Sequence, residues 1–201
     1  MIILDVPQRS DEWFKARAGI PSASEFDKIL TPLGSPSKQA DKYMKHLARE
    51  RLTGPSKEGY QNATMLRGIE LEVEARLYFE MLYDVEIKEV GFCYSDEKKL
   101  YGCSPDGLNE SFGLEIKCPE DHTHITYLFE NKLPTDYIPQ VQGGMLVTGF
   151  SSWYFLSYFP GLAPLIIQVL RDWDYTARLK VALDEFCIEL DELTERLRKL
   201  I

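Results

Sequence analysis

The chain has 201 residues, 44% of them hydrophobic and 27% charged, which excludes a disordered or fibrous protein and gives enough length for one domain with a full core. Its formal net charge is −9, from 23 Lys and Arg against 32 Asp and Glu. A broad basic surface is therefore not expected, and any handling of nucleic acid has to be local.

Ser10 and the acidic residues after it predict an N-capped helix in SDEWFKAR, broken by Gly19-Ile20-Pro21. Ser22 or Ser24 then caps a second helix through Leu30. The Pro-, Gly- and Ser-rich stretch 31–41 reads as a loop, 41–52 as a helix and 53–62 as a second loop. Residues 63–83 are the clearest helix, with Leu66, Ile69, Val73, Leu77 and Leu82 as its apolar face. From residue 85 the pattern shifts to strands, VEIKEVGFCYS, LYGCSPDG and FGLEIKCP, separated by turn signals. Helices are predicted over 122–132 and 136–148, and strands in SWYFLSYF and LIIQVLRDW. A closing amphipathic helix runs from Asp174 to Ile201 with Leu179, Leu183, Phe186, Leu190, Leu193 and Leu197 on one side. This order predicts an α/β fold, a central mixed sheet flanked by helices, in a single domain over 1–201. Cys93, Cys103, Cys118 and Cys187 form no CxxC pair, which favours reduced thiols over a zinc or iron–sulfur site. No run of about 18 apolar residues exists, and MIILDVPQRSDEW lacks the regions of a signal peptide, so a cytosolic place without membrane contact is expected.

The stretch GCSPDGLNESFGLEIKCP carries the chemistry. Side chains alternate along a strand, so Glu115 and Lys117 share one face while Leu114 and Ile116 take the other. A hairpin between 100–105 and 112–118 would set Asp106 beside Glu115. Two carboxylates so close repel unless a cation lies between them, and oxygen ligands with open water positions suit Mg²⁺ or Mn²⁺. A lysine beside such a site can position a water and offset phosphate charge. The same spacing also fits a hairpin with an exposed Glu–Lys pair.

Three other stretches bear on the choice. In RGIELEVEAR, Gly68 permits close approach to the helix start, and Glu72 is either a further ligand or part of a solvated acidic face. In YIPQVQGGMLV, Gln140 and Gln142 stand among apolar residues, and each either bonds the core or orients a water or the lysine. In EWFKARAGIPSASE, Arg17 with Ser22 and Ser24 either cradles a phosphate at a helix start or the serines are plain caps, and Ser104 can add a hydroxyl. His122 and His124 read as exposed residues at a helix start. Trp13, Trp153 and Trp173 read as core or interface residues.

Taken in order, EWFKARAGIPSASE, RGIELEVEARLYFE, CSPDGL, GLEIKCP and PQVQGGMLVTGFSSWYFLSY resemble the YqaJ-type viral recombinases, the family of lambda-type exonucleases, over roughly residues 8–160. The resemblance implies the fold of type II restriction endonucleases with a PD and (D/E)xK motif. It implies catalytic Asp106, Glu115 and Lys117 with Glu72 and Gln140, and metal held by Asp106, Glu115, Glu72 and the main-chain carbonyl of Ile116. It implies a 5′-phosphate pocket of Arg17, Ser24 and Ser104. The implied activity is Mg²⁺-dependent 5′-to-3′ digestion of one strand of linear double-stranded DNA, with two ions per site, Mn²⁺ being an alternative metal. The implied partners are two further copies in a homotrimeric ring and a single-strand annealing protein, in the cytoplasm of a bacterium carrying the phage or prophage. A restriction-like endonuclease and a non-catalytic DNA-end-binding recombination protein are the competing readings.

Overall fold

The computed structural model describes residues 1–55 and 63–200, so most of the expected loop at 53–62 lies outside the described residues. Two sheets organise them. β1 (Ile2–Leu4), β2 (Phe92–Tyr94) and β3 (Gly102–Cys103) form an antiparallel sheet, and β4 (Gly107–Leu108), β5 (Gly113–Lys117), β6 (Ser152–Ser157) and β7 (Leu165–Leu170) form a mixed one in that order. In the mixed sheet β5 and β6 run parallel, while β4 with β5 and β6 with β7 are antiparallel.

The strand expected over 100–107 is divided between the two sheets, and the predicted 100–105 hairpin with 112–118 does not form. Pro105 lies at the break and has no N–H to give a ladder. Only Gly107 and Leu108 pair with β5, opposite Leu114 and Gly113. The stretch from 85 likewise yields only β2 and an isolated bridge between Lys88 and Leu108.

Six α-helices among the described residues surround the sheets: α1 (Asp11–Arg17), α2 (Ala40–Thr53), α3 (Ala63–Tyr83), α4 (Asp121–Glu130), α5 (Ile138–Thr148) and α6 (Trp173–Arg198). Ser10 caps α1 as expected, accepting from the Trp13 N–H at 3.2 Å. The segment Ala23–Lys28 is a 3₁₀ helix, shorter than the helix expected through Leu30. Asp172 caps α6, whose Leu179, Leu183, Phe186 and Leu190 are buried at helical spacing as predicted. Each such side chain contributes about 1.5–3 kcal/mol by leaving water. Together with Phe26, Met145 and Trp153 they build the main core under α2, α5 and α6. α5 lies so close to its neighbours that a Cβ on Gly143 would fall 2.4 Å from the Phe26 ring, and one on Gly144 2.7 Å from the Trp153 ring.

α3 departs from its expected packing. Leu66, Val73, Leu77 and Leu82 are exposed, whereas Ala75, Arg76 and Phe79 are buried, the two apolar ones in a second core with Leu114, Ile116 and Leu156. The helix is turned by its polar contacts: Arg76 donates to the Asp106 carbonyl at 3.0 Å and pairs with Glu89 at 3.1 Å. Nothing lies within 4 Å of a Cβ placed on Gly68, so the close approach expected there is not seen among the described residues. No helix among them is long and apolar enough to cross a membrane.

Candidate active site

β5 is buried on both faces from Gly113 to Ile116, as a strand with neighbours on each side must be. Leu114 and Ile116 fill the second core, and Glu115, at 3% exposure, faces the opposite way beneath the start of α5. Such burial of a carboxylate requires partners. Lys117 Nζ lies 2.6 Å from Glu115 Oε1, and Gln140 Nε2 donates to that oxygen at 2.5 Å. Gln140 reaches it from the first turn of α5, which Pro139 opens. Gln142, its neighbour in the sequence, is structural: its amide donates to the Leu170 carbonyl at 3.1 Å and its oxygen accepts from the Asp172 N–H at 2.9 Å.

Asp106 is locked to the same strand. Its N–H donates to the Leu114 carbonyl at 3.1 Å, and its Oδ2 accepts from the Ile116 N–H at 2.6 Å. Burial and the Glu115 charge push the Asp106 carboxyl well above its ordinary range, and burial likewise raises Glu115. Burial alone would lower the Lys117 ammonium, but the charges of Glu115 and Asp106 outweigh it and hold Lys117 above its usual value.

The phosphate-pocket candidates converge on the same place. Arg17, at the end of α1, lies 3.4 Å from the hydroxyls of both Ser22 and Ser24, with its guanidinium 4.1 Å over the Trp13 ring. The Trp13 indole N–H is shared between the Gly91 carbonyl and Ser104 Oγ, each at 2.9 Å, and Ser104 itself donates to Gly91 at 2.8 Å. Trp13 thus fixes both Arg17 and Ser104. A single cavity of about 160 Å³ is lined both by Arg17, Ser24 and Ser104 and by Asp106, Glu115, Lys117 and Gln140.

Glu72 stands slightly apart. Its carboxylate pairs with Arg9 Nη2 at 2.8 Å, and its charge reaches Asp106 and Glu115. Among the described residues no group of three or more His, Cys, Asp or Glu side chains is gathered to hold a metal. The donor chemistry nevertheless fits a hard cation, because Asp106 and Glu115 offer oxygen ligands whose mutual repulsion a cation relieves.

Sequence reasoning missed Gln8, Arg9 and the bonding role of Trp13. Gln8 Nε2 donates to the carbonyls of Val90 at 3.0 Å and Pro105 at 2.8 Å, tying the amino-terminal segment to the turn that carries Asp106. His124 corrects an expectation. It is fully buried, with Nδ1 2.8 Å from Ser157 Oγ and Nε2 2.9 Å from the Ala163 carbonyl, while His122 is exposed.

The YqaJ-like viral recombinase domain matches residues 12–151. The chain belongs to that family. This YqaJ-like chain is similar to the alkaline exonuclease LHK-Exo from Laribacter hongkongensis, at 32% identity over 94% of this chain and 97% of that one, with a TM-score of 0.85. The structure of LHK-Exo in complex with dAMP gives the same figures. A phage related exonuclease from Haemophilus somnus 129PT, at 15% identity and a TM-score of 0.68 over 89% of this chain and 96% of that one, shares the fold. No curated protein matches the YqaJ-like chain. Its fold is the PD-(D/E)xK type, as the sequence led us to expect.

The buried carboxylates carry a stability consequence. Their folded-state values are raised, so between the unfolded and folded values the folded chain binds more protons, and stability falls as pH rises through that window. In chelator, urea denaturation is expected to show greater stability just above the ordinary carboxylate range than at neutral pH, with a flatter slope and a more stable neutral form in Asp106→Asn. An unchanged slope in that variant contradicts the repulsion.

Proposed function

We propose that this single-domain chain is a Mg²⁺-dependent exonuclease that digests one strand of linear double-stranded DNA from its 5′ end, leaving a 3′ overhang for recombination through a single-strand annealing partner. One observation carries the reading: the carboxylate–lysine cluster and the arginine–serine group line the same small cavity. A terminal phosphate held by Arg17, Ser24 and Ser104 shares one cavity with Lys117, as an end-directed enzyme needs. The dAMP complex of LHK-Exo supports a nucleoside monophosphate as the product class.

Asp106, Glu115 and the Ile116 carbonyl, with Glu72, are the residues that would hold Mg²⁺, as one ion or two, Mn²⁺ serving in its place. When bound, the metal supplies Lewis-acid activation of water and stabilisation of the leaving 3′-oxygen. Lys117 aligns the attacking water and offsets phosphate charge. Gln140 holds Glu115 in place through its amide, and Arg76 steadies the Asp106 backbone. Arg17 keeps the enzyme on the 5′-ended strand, so that cleavage and advance alternate. A homotrimeric ring around DNA reconciles this with the net charge of −9, since encirclement holds the substrate without a basic surface. The setting is the cytoplasm of a bacterium carrying the phage or prophage.

The test is release of acid-soluble nucleotides in Mg²⁺ from linear duplexes with 5′-phosphate or 5′-hydroxyl ends, beside a covalently closed circle. Fast release from 5′-phosphorylated ends, slow release from 5′-hydroxyl ends and an intact circle are expected. Cutting of the circle makes the protein an endonuclease, and binding to ends without digestion in any metal makes it a recombination scaffold.

A further inference from the structure

Arg9 occupies an unusual backbone position beside the candidate site. Its φ is 67°, in the left-handed region that costs a non-glycine residue about 1–2 kcal/mol. Both neighbours are pinned, Gln8 to the Val90 and Pro105 carbonyls and Ser10 to the start of α1. The held backbone delivers the Arg9 side chain into the cleft, where it lines the same cavity as Asp106, Glu115 and Lys117 and places Nη2 2.8 Å from Glu72 Oε2.

The charges account for that arrangement. Lys117 compensates Glu115, and Asp106 accepts the Ile116 N–H, but both carboxylates still feel Glu72. With Glu72 at 14% side-chain exposure, water screens it little, and a cation close to it lowers the repulsion among all three. Arg9 is that cation.

We propose that Arg9 is a resident counter-cation that competes with a divalent ion for Glu72, its guanidinium occupying the carboxylate until metal displaces it. This rests on the reading of Glu72 as a metal-holding carboxylate. It adds that metal affinity of the DNA-free protein is set partly by an arginine that is itself no ligand.

The experiment is Mn²⁺ titration of DNA-free protein, free Mn²⁺ being read by electron paramagnetic resonance, for the wild type, Arg9→Gly, Arg9→Asn and Arg9→Lys. Glycine and asparagine both tolerate a positive φ, so the guanidinium is removed without straining the backbone. Thermal unfolding in chelator checks that each variant is folded. Arg9→Gly and Arg9→Asn are expected to bind Mn²⁺ about two- to fivefold more tightly, the scale of one partly exposed ion pair, and Arg9→Lys to stay near wild type. Equal or weaker binding by the glycine and asparagine variants, with wild-type binding intact, overturns the role of Arg9 and leaves the metal reading standing. No Mn²⁺ binding by any of the four proteins overturns both.

Discussion

Lys117→Ala is expected to lower the rate of nucleotide release by about 10²–10³-fold at saturating DNA and metal, the cost of losing one preorganised charge at a reacting centre. The side chain lies 2.6 Å from Glu115 and 5.2 Å from the Tyr137 ring centroid, so it is held in place before substrate arrives. Its loss leaves Glu115 with the Gln140 amide as the closest remaining donor. Single-turnover digestion separates this from weaker binding, because a chemical role lowers the rate at saturation while DNA affinity stays near wild type. Full activity in Lys117→Ala removes the lysine from the mechanism.

Arg17→Ala is expected to remove selectivity for the end rather than the chemistry. A charged hydrogen bond to phosphate is worth about 1.5–3 kcal/mol, so digestion from 5′-phosphorylated ends should slow by about ten- to a hundredfold. Digestion from 5′-hydroxyl ends, slow in the wild type, should change little. The guanidinium is buried enough that its pKa is lowered by desolvation, and it stacks on Trp13 beside two serine hydroxyls, so an anion entering there meets a preformed site. Equal losses on both kinds of end would reject the phosphate pocket.

Local pattern made the catalytic strand legible. Alternation in GLEIK puts Glu115 and Lys117 on one face, and a turn ahead of it brings Asp106 alongside; both hold in the structure. The extents of α3 and α6 were readable for the same reason, since each is a long periodic segment. The buried face of α3 was not. Its apolar residues suggest one side, but Arg76 reaching Asp106, 30 positions away, selects another. The hydrogen bonds of Trp13 and Gln8 escaped notice because their partners lie 78 to 97 positions along the chain, a distance no local spacing encodes. His124 was misjudged similarly, because its two partners come from β6 and the following loop. The end of a strand at Pro105 was readable, since a residue without an N–H interrupts any ladder, but no local signal tells that the residues before and after it join different sheets.

The pair of hydrogen bonds from the Gln8 amide to the Val90 and Pro105 carbonyls has a practical side. Loss of residues 1–8 would take away an edge strand, the Ile2, Leu4 and Val6 side chains packed against Trp13, Phe92 and Tyr94, and a side-chain amide bracing the Asp106 turn, yet leave the two larger cores assembled from residues further along. A preparation clipped there would look well folded by circular dichroism and be poorly active, so intact mass is the quality check that matters, and a purification handle is better fused after α6 than ahead of β1.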